Sequence, residues 1–194
     1  MTLDLKAADY TLSGLRPFPV AVTTTHEGRA NGLMSLSAGS GGIVPEAPRV
    51  TISLTKYNLT HDLVLASGIF VMHLLAATPE PAMEASLKIL MGLGGSSGRD
   101  GDKLAQFDTK PGVTGAPILQ DALSYVEGRV VGTLDAQENT IFLADVVGAG
   151  ILRDGERLRI GPAWGKLPKD WIEQYEANHV PQLESARRNR GLVD

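Results

Sequence analysis

The chain has 194 residues and no cysteine, which excludes disulfides, thiolate metal sites and a cysteine nucleophile. Its length suits one domain, or one domain with a tail, and its 43% hydrophobic residues allow a sizeable core. A net charge of −4 with no basic block argues against a nucleic-acid partner. No apolar run approaches the ~20 residues of a membrane span, and the N-terminus does not resemble a signal peptide, so we expect a cytoplasmic protein.

The first half of the chain contains β-branched runs separated by turn signals. Val20–Thr25 is predicted as a strand, His26–Gly32 as a turn marked by its two glycines and asparagine, and Leu33–Ser37 as the returning strand. Arg49–Leu54 is a further strand. Ser35 and Ser37 would then share one strand face, since side chains repeat every two residues.

Helix signals follow. Thr60 is predicted to cap a short helix that ends at Gly68, and Thr78–Pro79 to begin another. The next predicted elements, in chain order, are a strand over Ile69–Leu75, a flexible loop over Gly92–Gly101, and strands over Tyr125–Leu134 and Thr140–Val147. A hairpin around Asp154–Gly155, a helix over Lys169–His179, a break at Pro181 and a final helix to Arg190 follow.

This order gives seven or eight strands and three or four helices, with the strands in runs. Such runs favour a mainly β fold, an antiparallel barrel with a few helices, over a parallel sheet in which strands and helices alternate. The C-terminal part is predicted as a helical extension.

Two segments are candidate binding sites. Between Asn31 and Gly42, small residues and hydroxyls would let a planar ligand approach the backbone; the alternative is an ordinary glycine-rich turn. The second segment, Lys56 to His61, precedes a predicted helix whose free N–H groups favour an anion, and so forms a candidate phosphate site; the alternative is a capped helix with surface polar residues.

Several other chemistries lack a signal. The four histidines do not have metal-ligand spacing, so no metal site is expected, and His73 in an apolar strand is interpreted as a residue with a local polar partner. No nucleophile elbow or phosphate-binding loop is present, and no carboxylate pair suggests acid–base catalysis.

The combined pattern resembles the flavin reductase-like, FMN-binding split β-barrel family. The resemblance covers about residues 15–152 and predicts a barrel domain over residues 1–162 with a helical extension over 163–194. Five motifs in order carry it: Phe18–Thr25, Asn31–Gly32, Pro48–Leu54, Lys56–His61 and Ser67–Leu75.

The resemblance implies a homodimer that binds FMN, or FAD, and transfers hydride from NAD(P)H to the flavin, with a partner oxygenase as one use of the electrons. The flavin would carry the chemistry, so no catalytic side chain is expected. The resemblance places the ring and ribityl chain against Asn31, Ser35, Leu36, Ser37 and Ser40, and the phosphate near Lys56, Asn58, Thr60 and His61.

Three positions depart from the family pattern. Asn139 stands roughly where many members have the histidine of a Gly-Asp-His motif, His73 replaces an asparagine, and Leu33–Met34 replaces a hydroxyl residue. Three alternatives therefore stay open: a flavoprotein that has a non-nicotinamide donor or acts on its own substrate, a non-catalytic electron carrier, and a small-ligand barrel. The large rings of Trp164, Trp171 and Tyr175 are expected to pack across a dimer interface or over the flavin.

Overall fold

The computed structural model describes residues 4–193, which form nine strands and five helices. The strands are β1 (Val20–His26), β2 (Arg29–Ser35), β3 (Ala38–Ser40), β4 (Arg49–Thr55), β5 (Ile69–Leu74), β6 (Thr109–Pro111), β7 (Pro117–Leu119), β8 (Ser124–Ala136) and β9 (Asn139–Ile151). The helices are α1 (Leu5–Gly14), α2 (Leu59–Ser67), α3 (Glu80–Gly94), α4 (Ile160–Trp164) and α5 (Lys169–Asn189).

Seven strands form one curled antiparallel half-barrel in the order β2-β1-β5-β8-β9-β4-β3, and β6 pairs with β7 separately. The predicted fold class, mainly β with a few helices and a C-terminal helix, is confirmed. No helix within residues 4–193 is long and apolar enough to span a membrane.

Strand β1 is buried on both faces because the half-barrel is packed on two sides. Val22 belongs to a core with Phe70, Phe142 and Val64 of α2. Its neighbour Ala21 points the other way, into a core that includes Leu93 of α3. Since successive strand residues face opposite sides, α2 and α3 lie against opposite faces of β1, and their ends frame the site described below.

The first hairpin turns earlier than predicted. The turn residues are Glu27 and Gly28, both at positive φ (48° and 78°), as a type I′ turn requires. Asn31 and Gly32 lie inside β2, paired with Thr24 and Thr23. The prediction of Asn31–Gly32 as turn residues and of a strand over Leu33–Ser37 was therefore wrong.

Two predicted helix caps were also wrong. The N-cap of α2 is Asn58, so Thr60 lies inside the helix, although Gly68 does end it at φ 68°. The Thr78 hydroxyl accepts a hydrogen bond from the Glu156 N–H, 2.9 Å away, and α3 begins after Pro79 without a side-chain cap.

Three later predictions were wrong in extent. Helix α3 continues to Gly94, into the stretch predicted as a flexible loop. The residues around Asp154–Gly155 form no hairpin; Arg157 instead bridges to Ala76. Helix α5 runs through Pro181, because the Ala177 carbonyl that loses its intrahelical partner belongs to an exposed turn where water can replace it.

Candidate functional site

The end of β2 contributes the first group of predicted site residues. Ser35 ends the strand, and the chain bends at Leu36, so Ser37 does not continue the strand face as predicted. The Ser37 N–H donates to Ser35 Oγ at 3.1 Å, and the Ser40 hydroxyl donates to the Gly42 carbonyl at 3.1 Å. Leu36 is half-buried and lines two cavities.

Asn31 and Thr60, predicted to contact different parts of a ligand, bind each other. The Asn31 amide donates to Thr60 Oγ1 at 3.0 Å, and both residues are buried. Gly98 covers the amide so closely that a Cβ on Gly98 would lie 2.3 Å from it. These two side chains therefore support the fold from inside.

Lys56 and His61 point toward the end of the β8–β9 hairpin. The Lys56 ammonium binds the Asp135 carboxylate at 2.8 Å, and this pairing, together with a hydrogen bond from the Gln137 N–H, lowers the pKa of Asp135. His61 is buried between Asp62, 3.0 Å from Nδ1, and the Thr140 hydroxyl, 2.9 Å from Nε2. Both side chains are occupied by protein partners.

Asn58 has a different position. Its side chain makes no capping hydrogen bond to α2, and it lines a polar cavity of about 310 Å³ that also contacts α5. Other groups around this cavity include Gly95, Ser96, Ser97, Asp100, Gln174 and Asn178. Among the predicted phosphate residues, Asn58 is the one that this cavity exposes.

A second cavity of about 310 Å³ adjoins the first at Gly94 and is mainly apolar. Its walls include Met34, Ser35 and Leu36 from the end of β2, and Trp164, Trp171 and Tyr175 from the C-terminal helices. We call the two cavities together the α5 groove, with an apolar arm at Leu36 and a polar arm at Asn58.

Four aromatic rings line up along α4 and α5. Trp171 stacks on Tyr175 with centroids 5.3 Å apart and an interplanar angle of 18°, and Tyr175 stacks on His179 at 6.2 Å. The Trp164 ring meets Tyr175 edge-on at 5.4 Å. Burial raises the pKa of the Tyr175 hydroxyl, so this ring stays neutral at physiological pH.

Glycines allow α5 to approach the end of α3. A Cβ on Gly95 would lie 2.6 Å from Trp171 Nε1, which leaves no room for a side chain. The Asn178 amide donates to the Gly95 carbonyl at 2.9 Å. The groove is therefore formed by the β2 end, the α3 C-terminus and α5.

A larger cavity of about 490 Å³ lies on the other side of Leu36 and is mainly apolar. It is lined by the segment before β1 and by β3, β4, β5, β8 and β9, including Ser40, His73 and Tyr125. This cavity exposes Ser40 and Leu36 but none of the predicted phosphate residues, whereas the α5 groove exposes residues from both predicted segments.

Apart from Asn58, the residues that line the polar arm were not predicted from the sequence. Ser96 and Ser97 lie in a glycine-rich stretch with broken dinucleotide-motif spacing, and Asn178 lies in an ordinary polar helix. Only the aromatic content of the tail could have indicated the groove. No cluster of three or more metal-ligating side chains occurs among residues 4–193.

A family model described as "Flavin reductase like domain" matches residues 13–160. The high molecular weight rubredoxin of Moorella thermoacetica is 35% identical over 115 residues, 59% of this chain and 48% of that protein. The NAD(P)H ferric-chelate reductase of Archaeoglobus fulgidus is 29% identical over 111 residues, 57% of this chain and 62% of that protein. The matches span less than two thirds of these relatives.

Solved structures share the fold. The FMN-binding protein of Thermus thermophilus superposes with a TM-score of 0.60 at 23% identity, over 70% of this chain and 71% of that one. The nitrilotriacetate monooxygenase component B homologue of Mycobacterium thermoresistibile gives 0.62 at 24% identity, over 85% and 90%.

Proposed function

Because the chain belongs to the flavin reductase-like domain family, we propose that it binds FMN in the α5 groove and transfers hydride from NAD(P)H to that flavin. One observation carries the choice of site. The α5 groove joins Ser35 and Leu36, expected at the flavin ring and ribityl chain, to Asn58, expected at the phosphate.

The residues of the groove fit such a ligand. A planar apolar ring needs flat apolar walls, and Leu36, Trp171 and Tyr175 supply them in the apolar arm. A ribityl phosphate needs hydrogen-bond donors, and Ser96, Ser97 and Asn58 line the polar arm. Asp100 is the one carboxylate among the lining residues and no lysine or arginine is among them, so phosphate binding there would depend on hydrogen bonds.

The chain itself would bind, orient and shield the ligand. A bound flavin supplies the redox chemistry, since it accepts hydride from a reduced nicotinamide. The aromatic wall would exclude water from one face of the apolar arm, and the main chain at Leu36 would offer N–H and carbonyl groups to the ring edge. No side chain is assigned as a proton donor.

Assembly is part of the proposal. Large apolar side chains are exposed on the half-barrel and its loops, including Ile43, Val113 and Ile151, which are 97%, 75% and 81% exposed. A homodimer would cover such surface. The likeness to a monooxygenase component B homologue supports a partner oxygenase as the electron acceptor.

A second candidate is a flavoprotein reduced by a donor other than nicotinamide, or an electron carrier. Asn139, where the family resemblance implies a histidine at the nicotinamide side, has a buried Oδ1 without a hydrogen-bond partner. The likeness to a high molecular weight rubredoxin is compatible with this second candidate.

An anaerobic titration separates the candidates. FMN is added to the purified protein, then NADH and then NADPH, while the visible spectrum is recorded. We expect binding, followed by bleaching of the flavin band with one nicotinamide. Bound FMN that stays oxidised would favour the second candidate, and absence of FMN binding would overturn both.

The variant Asn58→Asp tests the placement of the phosphate. Aspartate is nearly isosteric and is a good N-cap, so α2 should be retained. Its charge should repel the phosphate, and we expect FMN affinity to fall about tenfold or more while riboflavin affinity, measured in parallel, is unchanged. An equal effect on both ligands, or none, would place the phosphate elsewhere.

A further inference from the structure

Helix α5 lies outside the part of the chain that matches the family model, which ends at residue 160. It is nevertheless the helix that supplies the aromatic wall of the α5 groove. We propose that α5 is a flavin-contacting element of this protein, in which the Trp171–Tyr175 ring pair packs against the bound ring and limits flavin release. This inference rests on the proposed function.

The rings are placed as a binding surface. Trp164, Trp171 and Tyr175 are each only partly buried, although they are among the largest apolar side chains in the chain. They border a cavity of about 310 Å³ at the residues expected to contact the flavin ring. Tyr175 lies between Trp171 and His179, so its ring edge and the outer face of Trp171 are the surfaces that can meet a third planar ring, edge-on or in offset stacking.

Helix α5 also lines the other end of the groove, where its side chains are polar. Gln174 and Asn178 line the polar arm, one helical turn apart, while Trp171 and Tyr175 line the apolar arm. A single face of α5 therefore follows the whole groove, apolar where a ring is expected and polar where a ribityl phosphate is expected.

The attachment of α5 is light. No residue of α5 is fully buried, and its apolar contact with the core is made by Trp171 and Ile172 at its start. Further along, the Asn178–Gly95 hydrogen bond and a 3.8 Å ion pair between the C-cap Arg190 and Glu138 tie it to the rest of the chain. Because few contacts hold the helix, a ligand that fills the groove would add a large share of its packing. Flavin retention and the docking of α5 are therefore coupled.

The first test replaces Tyr175 with leucine in the full chain, with Tyr10→Leu as the control. Tyr10 lies on α1 and is 83% exposed. Loss of a ring that borders the apolar arm and supports Trp171 should raise the FMN dissociation constant about tenfold, whereas the control should match the wild type. Emission from bound FMN should also increase in Tyr175→Leu, because an aromatic ring in contact quenches flavin fluorescence.

A second pair of variants leaves every aromatic ring in place. Gly95→Ala puts a methyl group 2.6 Å from Trp171 Nε1 and should displace the indole; Gly101→Ala adds the same group where nothing lies within 4 Å. We expect weaker FMN binding for Gly95→Ala alone, with both variants folded by circular dichroism.

The outcomes distinguish this inference from the proposed function. If the wild type binds FMN but Tyr175→Leu and Gly95→Ala keep its affinity and emission, α5 does not contact the flavin. This inference and the placement of FMN in the α5 groove then both fail, while the proposed transfer of hydride to flavin stands. If Tyr175→Leu loses its fold, the Gly95→Ala comparison decides alone. A wild type that binds no flavin overturns both.

Discussion

Lowering the pH from 7 to 5 should destabilise the wild-type protein through His73, and a His73→Asn variant should lack this loss. His73 is fully buried in β5. Its Nε2 accepts a hydrogen bond from the Leu119 N–H at 3.0 Å, so Nε2 carries no proton. Its Nδ1 must then be the protonated nitrogen, which donates to the Ala21 carbonyl at 3.1 Å.

The magnitude follows from the pKa. Burial lowers the pKa of His73 to about 4, against a smaller opposing effect of the Ala21 hydrogen bond and the Glu127 carboxylate. Between pH 6.5 and 4, His73 is therefore protonated in the unfolded chain and neutral in the folded chain. The free energy of unfolding consequently falls as the pH falls. From pH 7 to 5 this amounts to about 2 kcal/mol. The charged form would also place an N–H against the Leu119 N–H.

Urea denaturation of both proteins at pH 7, 6 and 5 measures the effect. His73→Asn will lose stability at every pH because its hydrogen bonds change, so the informative quantity is the difference in pH dependence. The other three histidines and all carboxylates are common to both proteins and cancel in that difference. Parallel curves for the two proteins would refute the assignment of a neutral, buried His73.

Two further substitutions test buried hydrogen bonds by the same assay. Lys103→Met removes an ammonium that binds two main-chain carbonyls, including Leu93 at 2.5 Å, and should cost about 1–3 kcal/mol, while exposed Lys88→Met should cost little. Thr60→Val keeps the side-chain shape but leaves the buried Asn31 amide without its acceptor, and should cost about as much, with Thr60→Ser close to wild type. An unchanged urea midpoint in either case would contradict the corresponding contact.

The longer strands other than β2 were predictable because their signal is local. The β-branched run at Val20 and the apolar run at Ile69 became β1 and β5. The short strands β3, β6 and β7, of three residues each, were not predicted, since three residues are too few for a period-two pattern. Helix α1 was missed as well; none of its residues is buried, so its sequence has no core-facing stripe.

The first turn shows how packing can override a local signal. Asn-Gly is among the strongest hairpin signals, yet Gly32 lies in β2, where its missing side chain admits Leu93 of α3. A Cβ at this position would lie 3.1 Å from the Leu93 side chain. Glycine thus lets α3 approach β2 without displacing Leu93, and the turn falls to Glu27–Gly28, where the strands leave a two-residue connection.

The sequence indicated the two segments that meet at the α5 groove, but not the contacts that their individual side chains make in the fold. Both predicted segments contribute to the α5 groove, through Leu36 and Asn58. The hydroxyl of Thr60 and the ring of His61 looked equally suitable as ligands, but they are bound to Asn31 and Thr140, which lie far away in sequence. A binding-competent side chain can be recognised from type and spacing, whereas its internal partners depend on the tertiary fold.

The C-terminal tail also has contact partners that could not be identified from the sequence. Its rings indicated a contact surface, and two locations were equally consistent with the sequence: a dimer interface or the flavin. The structure places Trp171 against Gly94 and Gly95 at the end of α3, where two successive glycines leave space for the indole. Gly94 and Gly95, within the stretch predicted as a flexible loop, are therefore the residues against which α5 packs. The glycines at the end of α3 and the aromatic side chains of α5 are far apart in sequence, but in the folded protein they meet at the α5 groove.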